Sequence, residues 1–179
     1  NGRKIGIWLK VAAVVLVMIT AGLLTTISES DYTEQITYTE ITSPVRTVTA
    51  HTLPDGSRVE LSANSSLKYS SLFSAENRVV HLEGEAFFDV VPDDEHSFKV
   101  YTGELFTTVL GTRFNVNNMH TLDKVEVALV EGSVEVGFVN DSGTADTIVL
   151  QPDEWVRYSG GEDRLAVQQG VGSKILWRD

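Results

Sequence analysis

Few residues of this chain sit at spacings that do chemistry. The four histidines, His51, His81, His96 and His120, are dispersed, and no two fall at i, i+2 or i, i+4. That excludes the paired-imidazole patterns of zinc sites, and the histidines read as surface or satisfied core groups. The acidic pairs Glu83/Glu85 and Asp93/Asp94 have the chemistry of a glycosidase pair or a calcium site. Their setting among turn residues makes solvated loops the better reading. With no cysteine there is neither a disulfide nor a thiolate metal site. No phosphate loop, dinucleotide fingerprint or Gly-x-Ser-x-Gly elbow occurs, so no metal or cofactor is expected. Trp155 and Trp177 read as core or interface anchors rather than sugar platforms.

One short segment raises a chemical question. VLGTRFNV (109–116) alternates like a strand but carries Gly111-Thr112 in its middle. Glycine weakens a strand interior, because it costs backbone entropy and gives no side chain to pack. Either Gly111 makes a bulge and Thr112 is an ordinary strand threonine, or the peptide bond between them has a function.

The elements that position this bond are β-strands. Ten period-2 runs lie between Arg58 and Tyr158, among them Arg78–Glu83, Phe87–Val91, Leu105–Leu110, Arg113–Asn117, Lys124–Val130 and Ser133–Val139. Turn signals separate them at short spacing: Pro54-Asp55-Gly56, Glu83-Gly84, Asp93-Asp94-Glu95, Glu131-Gly132, Asn140 to Gly143, Pro152-Asp153 and Gly160-Gly161. Many short strands with frequent turns predict an all-β fold, either a two-sheet sandwich or a solenoid-like β domain. PDGSRVEL (54–61), EGEAFFDV (83–90) and EGSVEVGF (131–138) repeat one device, an acidic-Gly turn before a strand. The phenylalanines Phe87, Phe88, Phe106 and Phe114 fall within these strands and are expected in the core.

The first part of the chain is different. Val11 to Ile27 contains 17 residues without a charge, and residues 5–27 are long enough for one transmembrane α-helix. That reading is preferred over a cleaved signal peptide ending near Thr20-Ala21-Gly22 and over a buried core helix, for which no polar face appears. Arg3, Lys4 and Lys10 lie on its N-terminal side, and the first acidic residue is Glu29. All 25 acidic residues follow it against 11 basic ones, a formal charge of −14. The positive-inside rule then places residues 1–4 in the cytoplasm and 28–179 on the far side of the membrane. Such acidity argues against nucleic acid as a partner. Residues 28–43 are polar and read as a stalk with one edge strand around Ile36–Tyr38, and the β domain is expected over 44–169.

LPDGSRVELSANSSLKY (53–69), HLEGEAFFDV (81–90), VLGTRFNV (109–116) and LVEGSVEV (129–136) together resemble the periplasmic domain of FecR-type anti-sigma factors. The four motifs follow one another over residues 44–158. The resemblance implies a single-pass inner-membrane regulator of cell-surface signalling. Such proteins hold an extracytoplasmic-function sigma factor through a cytoplasmic domain ahead of the helix. They receive the signal of a TonB-dependent outer-membrane transporter through a small C-terminal module. ILWRD (175–179) looks like the start of that module, placing residues 170–179 in it, and the residues before the helix look like a remnant of the sigma-binding domain. The resemblance also implies self-cleavage at Gly111-Thr112, followed by site proteases. Thr112 would be the nucleophile and Gly111 would supply the scissile carbonyl. No turnover of an external substrate is expected. The alternative reading is a membrane-anchored periplasmic β-sandwich that binds glycan or peptidoglycan.

Overall fold

The computed structural model describes residue 10 and residues 12–20, 36–118, 124–139, 143–159 and 164–178. The chain divides into two compact units, Asn1–Gln35 and Ile36–Asp179. In the first, Lys10 and residues 12–20 are helical. Among the described residues no helix is long and apolar enough to cross a membrane. The rest of the expected span, with flank 1–4 and stalk residues 28–35, lies outside the described residues, as do His120 and part of the turns near 141 and 161.

The second unit is built of strands β1 (Tyr38–Ser43), β2 (Thr49–Thr52), β3 (Arg58–Leu61), β4 (Ser65–Ser70), β5 (Arg78–Asp89), β6 (Phe98–Thr102) and β7 (Leu105–Val109). There follow β8 (Arg113–Asn118), β9 (Lys124–Glu131), β10 (Val134–Val139), β11 (Ala145–Leu150), β12 (Glu154–Ser159) and β13 (Arg164–Gln169). The alternation read from sequence is what buries them. Val125, Val127 and Leu129 of β9 and Val134, Val136 and Phe138 of β10 all face the core. The strand β1 occupies residues expected to be stalk, so the sheet begins at Tyr38 rather than near Pro44.

Among the described residues all thirteen strands belong to one continuous sheet, because β5 is shared between two layers. One layer runs β1-β4-β5-β6-β7-β10-β11 and the other β2-β3-β5-β8-β9-β12-β13. Every pairing is antiparallel except β5 with β6, which excludes a solenoid of parallel coils. The two layers enclose one apolar core. Phe88 of one layer stacks on Phe114 at 5.0 Å and meets Phe98 of the other at 6.1 Å.

The two runs Arg78–Glu83 and Phe87–Val91 are thus one twelve-residue strand, and Glu83-Gly84 is not a turn. It is the corner where β5 exchanges partners. Tyr69 to Ser66 of β4 pair with Val80 to Glu83, whereas Leu61 of β3 pairs with Ala86. At the corner Gly84 has φ +89°, and a Cβ there would lie 2.9 Å from the Cα of Ser65. Only glycine combines that backbone with that approach.

Residues 171–178 pack on the outer face of the second layer as two 3-10 turns, η1 (Gly172–Lys174) and η2 (Leu176–Arg178). Val171 joins Ala128 and Trp155 in a small second apolar cluster. Lys174 Nζ meets Glu126 at 2.7 Å and covers the Trp155 ring at 3.8 Å. Arg178 meets Glu60 at 2.6 Å and lies 3.7 Å over Phe87. Hydrogen bonding by Arg178 holds the Glu60 carboxyl below its ordinary 4.5, against the opposing effect of burial. For Glu126 burial pushes upward, but Lys174 and Arg157 outweigh it and the carboxyl is again lowered. Glu85 runs the other way: burial raises it, and hydrogen bonds led by Asn115 offset only part of that.

Carboxyls lowered on folding stabilise above their unfolded pKa and lose that contribution as pH falls through the lowered values. Glu85, raised, costs stability when ionised and is relieved on protonation. The C-terminal turns should therefore detach below about pH 4.5, while the sheet persists. Tryptophan emission should shift to the red there with an unchanged far-ultraviolet β signal. A K174A/R178A chain should show the shifted emission already at pH 7, and loss of the sheet in the same acid step would refute the account.

Candidate functional site

Gly111-Thr112 does not lie inside a strand. It forms, with Leu110, the connector between β7 of the first layer and β8 of the second. A bulge exists nearby, but on the partner strand. Arg113 pairs with Glu131 and Phe114 with Leu129, leaving Val130 as the extra residue of β9.

Two segments close on this connector, and a third braces one of them. The first is the loop between β5 and β6. Its Asp93 N–H donates to the Leu110 carbonyl at 2.7 Å, and Val90 N–H, at the end of β5, donates to the Thr112 carbonyl at 3.1 Å. The carbonyls on either side of the Gly111 carbonyl are thereby fixed. Pro92 of the same loop presses on Gly111 so closely that a Cβ would sit 2.5 Å from the proline Cα. The second segment is the β9–β10 turn. Thr112 is buried, and its hydroxyl donates to the Ser133 carbonyl at 3.0 Å. Gly132, at φ +97°, leaves the room in which the Gly111 oxygen and Thr112 Oγ1 lie, each 2.9 Å from where its Cβ would be. The third is the turn Pro54 to Ser57. Ser57 Oγ accepts from Val91 N–H at 3.1 Å and donates to Asp55 at 2.8 Å, bracing the first loop.

The connector opens on a cleft of about 480 Å³ lined by Leu110, Gly111, Thr112, Gly132, Ser133 and Glu135, among others. Water can therefore reach a peptide bond whose threonine hydroxyl is otherwise buried.

The remaining sequence candidates disperse. His51 lies beside Thr49, His81 stacks on Tyr101, and His96 pairs with Asp93 at 3.0 Å. Backbone N–H donation from Glu95, with the His96 ring beside it, lowers the Asp93 carboxyl to about 2; it organises a loop. Among the described residues no cluster of His, Asp and Glu could hold a metal. Glu83 and Glu85 point apart: Glu83 is exposed, whereas Glu85 is buried and accepts from Asn115 at 2.8 Å. Of the four phenylalanines, Phe88 and Phe114 are in the core between the layers. Phe87 is buried on the outer face beneath Arg178, and Phe106, half-buried, fills the space over Gly137.

Pro92, Gly132, Ser133 and Asp55 were not singled out from sequence as part of one site. The signal available was the repeated acidic-Gly turn, because one of its three occurrences, at Gly132, ends against this connector and another, at Gly56, ends against Val91 of the loop that holds it.

The site is thus defined as a constrained Gly-Thr peptide at the crossover of a two-layer all-β domain. The family model described as FecR protein matches residues 39–135, more than half of the chain and the whole of this site. The chain belongs to the FecR family. Two crystal structures of a Parabacteroides distasonis ATCC 8503 protein, assigned as an anti-sigma factor, share the fold. The one at 2.50 Å matches with 30% identity and a TM-score of 0.67 over 75% of this chain and 61% of that one. The one at 1.65 Å has the same identity and score over 74% and 60%. The chain therefore spans about 61% of the length of that protein. No curated protein matches the chain at a significant level.

The positions of two glycines separate strain from obstruction. Gly132 and Gly143 both have positive φ, but a Cβ at Gly143 meets nothing within 4 Å. Gly143→Ala should cost about 1 kcal/mol in urea unfolding, the left-handed penalty alone. Gly132→Ala adds overpacking against Gly111 and Thr112 and should cost about 2–5 kcal/mol. Equal costs for the two would refute this placement of Gly132.

Proposed function

We propose that this chain is the membrane-anchored, periplasmic part of an anti-sigma regulator that cleaves itself at Gly111-Thr112. Residues 5–27 cross the inner membrane once, and residues 28–179 lie in the periplasm. An extracytoplasmic-function sigma factor is held through the cytoplasmic side. The signal arrives from a TonB-dependent outer-membrane transporter through a C-terminal module, and site proteases complete the release. Membership of the FecR family and likeness to an assigned anti-sigma factor support the regulatory role. The observation that carries the chemical part is the convergence of the β5–β6 loop and the β9–β10 turn on one solvent-facing Gly-Thr peptide.

The reaction is an N→O acyl shift. Thr112 Oγ1 bonds to the Gly111 carbonyl carbon as the C–N bond breaks, and the hydroxyl proton passes to the nitrogen. Water entering the cleft hydrolyses the ester to a Gly111 carboxylate and a free Thr112 amine and hydroxyl. Glycine at 111 leaves the carbonyl unobstructed, and the Ser133 carbonyl, accepting a hydrogen bond from the hydroxyl, orients the nucleophile.

Purified wild type should split into fragments ending at Gly111 and beginning at Thr112, read by mass spectrometry, while T112A stays whole. An intact wild type after refolding would end the self-cleavage reading. In cells, deleting the gene should change transcription from promoters of one extracytoplasmic-function sigma factor and leave the others unaltered. An unchanged transcriptome would end the regulatory reading.

A further inference from the structure

Arg78 is the largest fully buried polar side chain of the described residues, and nothing in its sequence setting marks it. It opens β5, yet its guanidinium reaches the loop that follows β5, because the corner at Gly84 turns the strand back on itself. Nη1 donates to the Val91 carbonyl at 2.8 Å and faces Asp55 at 3.8 Å. Nη2 donates to the His96 carbonyl and lies 3.5 Å from the carbonyl of Asp93. One planar cation thus gathers three carbonyls of a single loop.

That loop and the strand end before it carry what fixes the connector: Val90 N–H, Pro92 and Asp93 N–H. We propose that Arg78 is a positioning residue for the Gly111-Thr112 peptide, acting through this loop. The proposal rests on the self-cleavage reading for its consequence, but not for its geometry. The fork matters as much as the charge, because a guanidinium can serve several carbonyls at once and an ammonium is a point donor. An arginine needed only to fill the core would be replaceable by lysine without effect on two particular loop amides. Asp55, seated between Arg78 and Ser57, holds the guanidinium in place, and its loss should act in the same direction.

The test uses the full chain with R78K, R78M and D55N, each compared with wild type by cleavage rate and by amide hydrogen exchange. Losing one charge-assisted bond in the loop should speed exchange at Val90 and Asp93 about tenfold or more. Exchange at Val116 and Val127, in the sheet, should stay at the wild-type rate. Cleavage should slow by a comparable factor, with R78K less affected than R78M. Exchange at Val90 and Asp93 that is unchanged in both R78K and D55N overturns the proposal. So does slowed cleavage accompanied by uniformly faster exchange throughout the sheet, the mark of a purely structural arginine. If wild type does not cleave, the self-cleavage reading falls, and the exchange at Val90 and Asp93 still decides whether Arg78 positions the peptide.

Discussion

The structure depends on one change of partner within one strand. At Gly84 the strand β5 leaves β4 and takes up β3, so a single covalent segment belongs to both layers. Ser65 fixes the change from the side: its Oγ accepts from Glu85 N–H at 2.9 Å, while the Glu85 carbonyl accepts from Ser62 N–H. Backbone groups that would be orphaned at the corner are thereby satisfied, as buried polar groups must be. The bend has two consequences. It closes the layers over one core, and it brings the chain after β5 back beside Arg78, where that chain can reach the β7–β8 connector.

Two buried charged positions sit on either face of this bent strand, and their environments differ. Arg78, on the inward side, is compensated by loop carbonyls and by Asp55. Burying a cation is costly unless its hydrogen-bonding capacity is used, and here the loop backbone uses most of it. Glu85, on the outer side, accepts from Asn115, with Glu126 a second acidic group nearby. Its carboxyl is raised rather than lowered. The arginine therefore tightens what surrounds it, whereas the glutamate is held at a cost that the rest of the outer face must offset.

Strand periodicity made the fold class legible, since Val125, Val127 and Leu129 of β9 and Val134, Val136 and Phe138 of β10 recur at every second position and face the core. The corner was not legible. Glu83-Gly84 has the composition of a turn, and only the backbone of Ser65 on a neighbouring strand makes it a bend within a strand instead. Nor did the weakly patterned strands β2 and β13 give a signal, because alternation is muted on edges whose faces are mostly exposed. At the site, the Gly-Thr pair was visible but its setting was not. Val90, Pro92 and Ser133 are ordinary residues in sequence, and their roles come from contacts between segments about 20 residues or more apart. Arg78 was hidden for the same reason: within a period-2 run an arginine reads as a solvated position.

The crossover position of Gly111-Thr112 determines what a break there would do. Strands β1 to β7 precede the bond and β8 to β13 follow it, yet neither layer separates along that line. In one layer β8 pairs with β5 through six residue pairs, and in the other β10 pairs with β7 through four. The C-terminal turns add a third link. Arg178 grips Glu60 and Phe87, which precede the bond, while Lys174 grips Glu126 and Trp155, which follow it. Cutting one peptide therefore removes the covalent tether without removing a strand pairing. The two parts would stay associated until something peels the ladders. Force applied at residue 178 meets its own clasp across the divide first, then the β12–β13 hairpin. The β5–β8 ladder, six pairs long and buried against the common core, is reached only after those give way. In that order release would proceed from the C-terminal end inward.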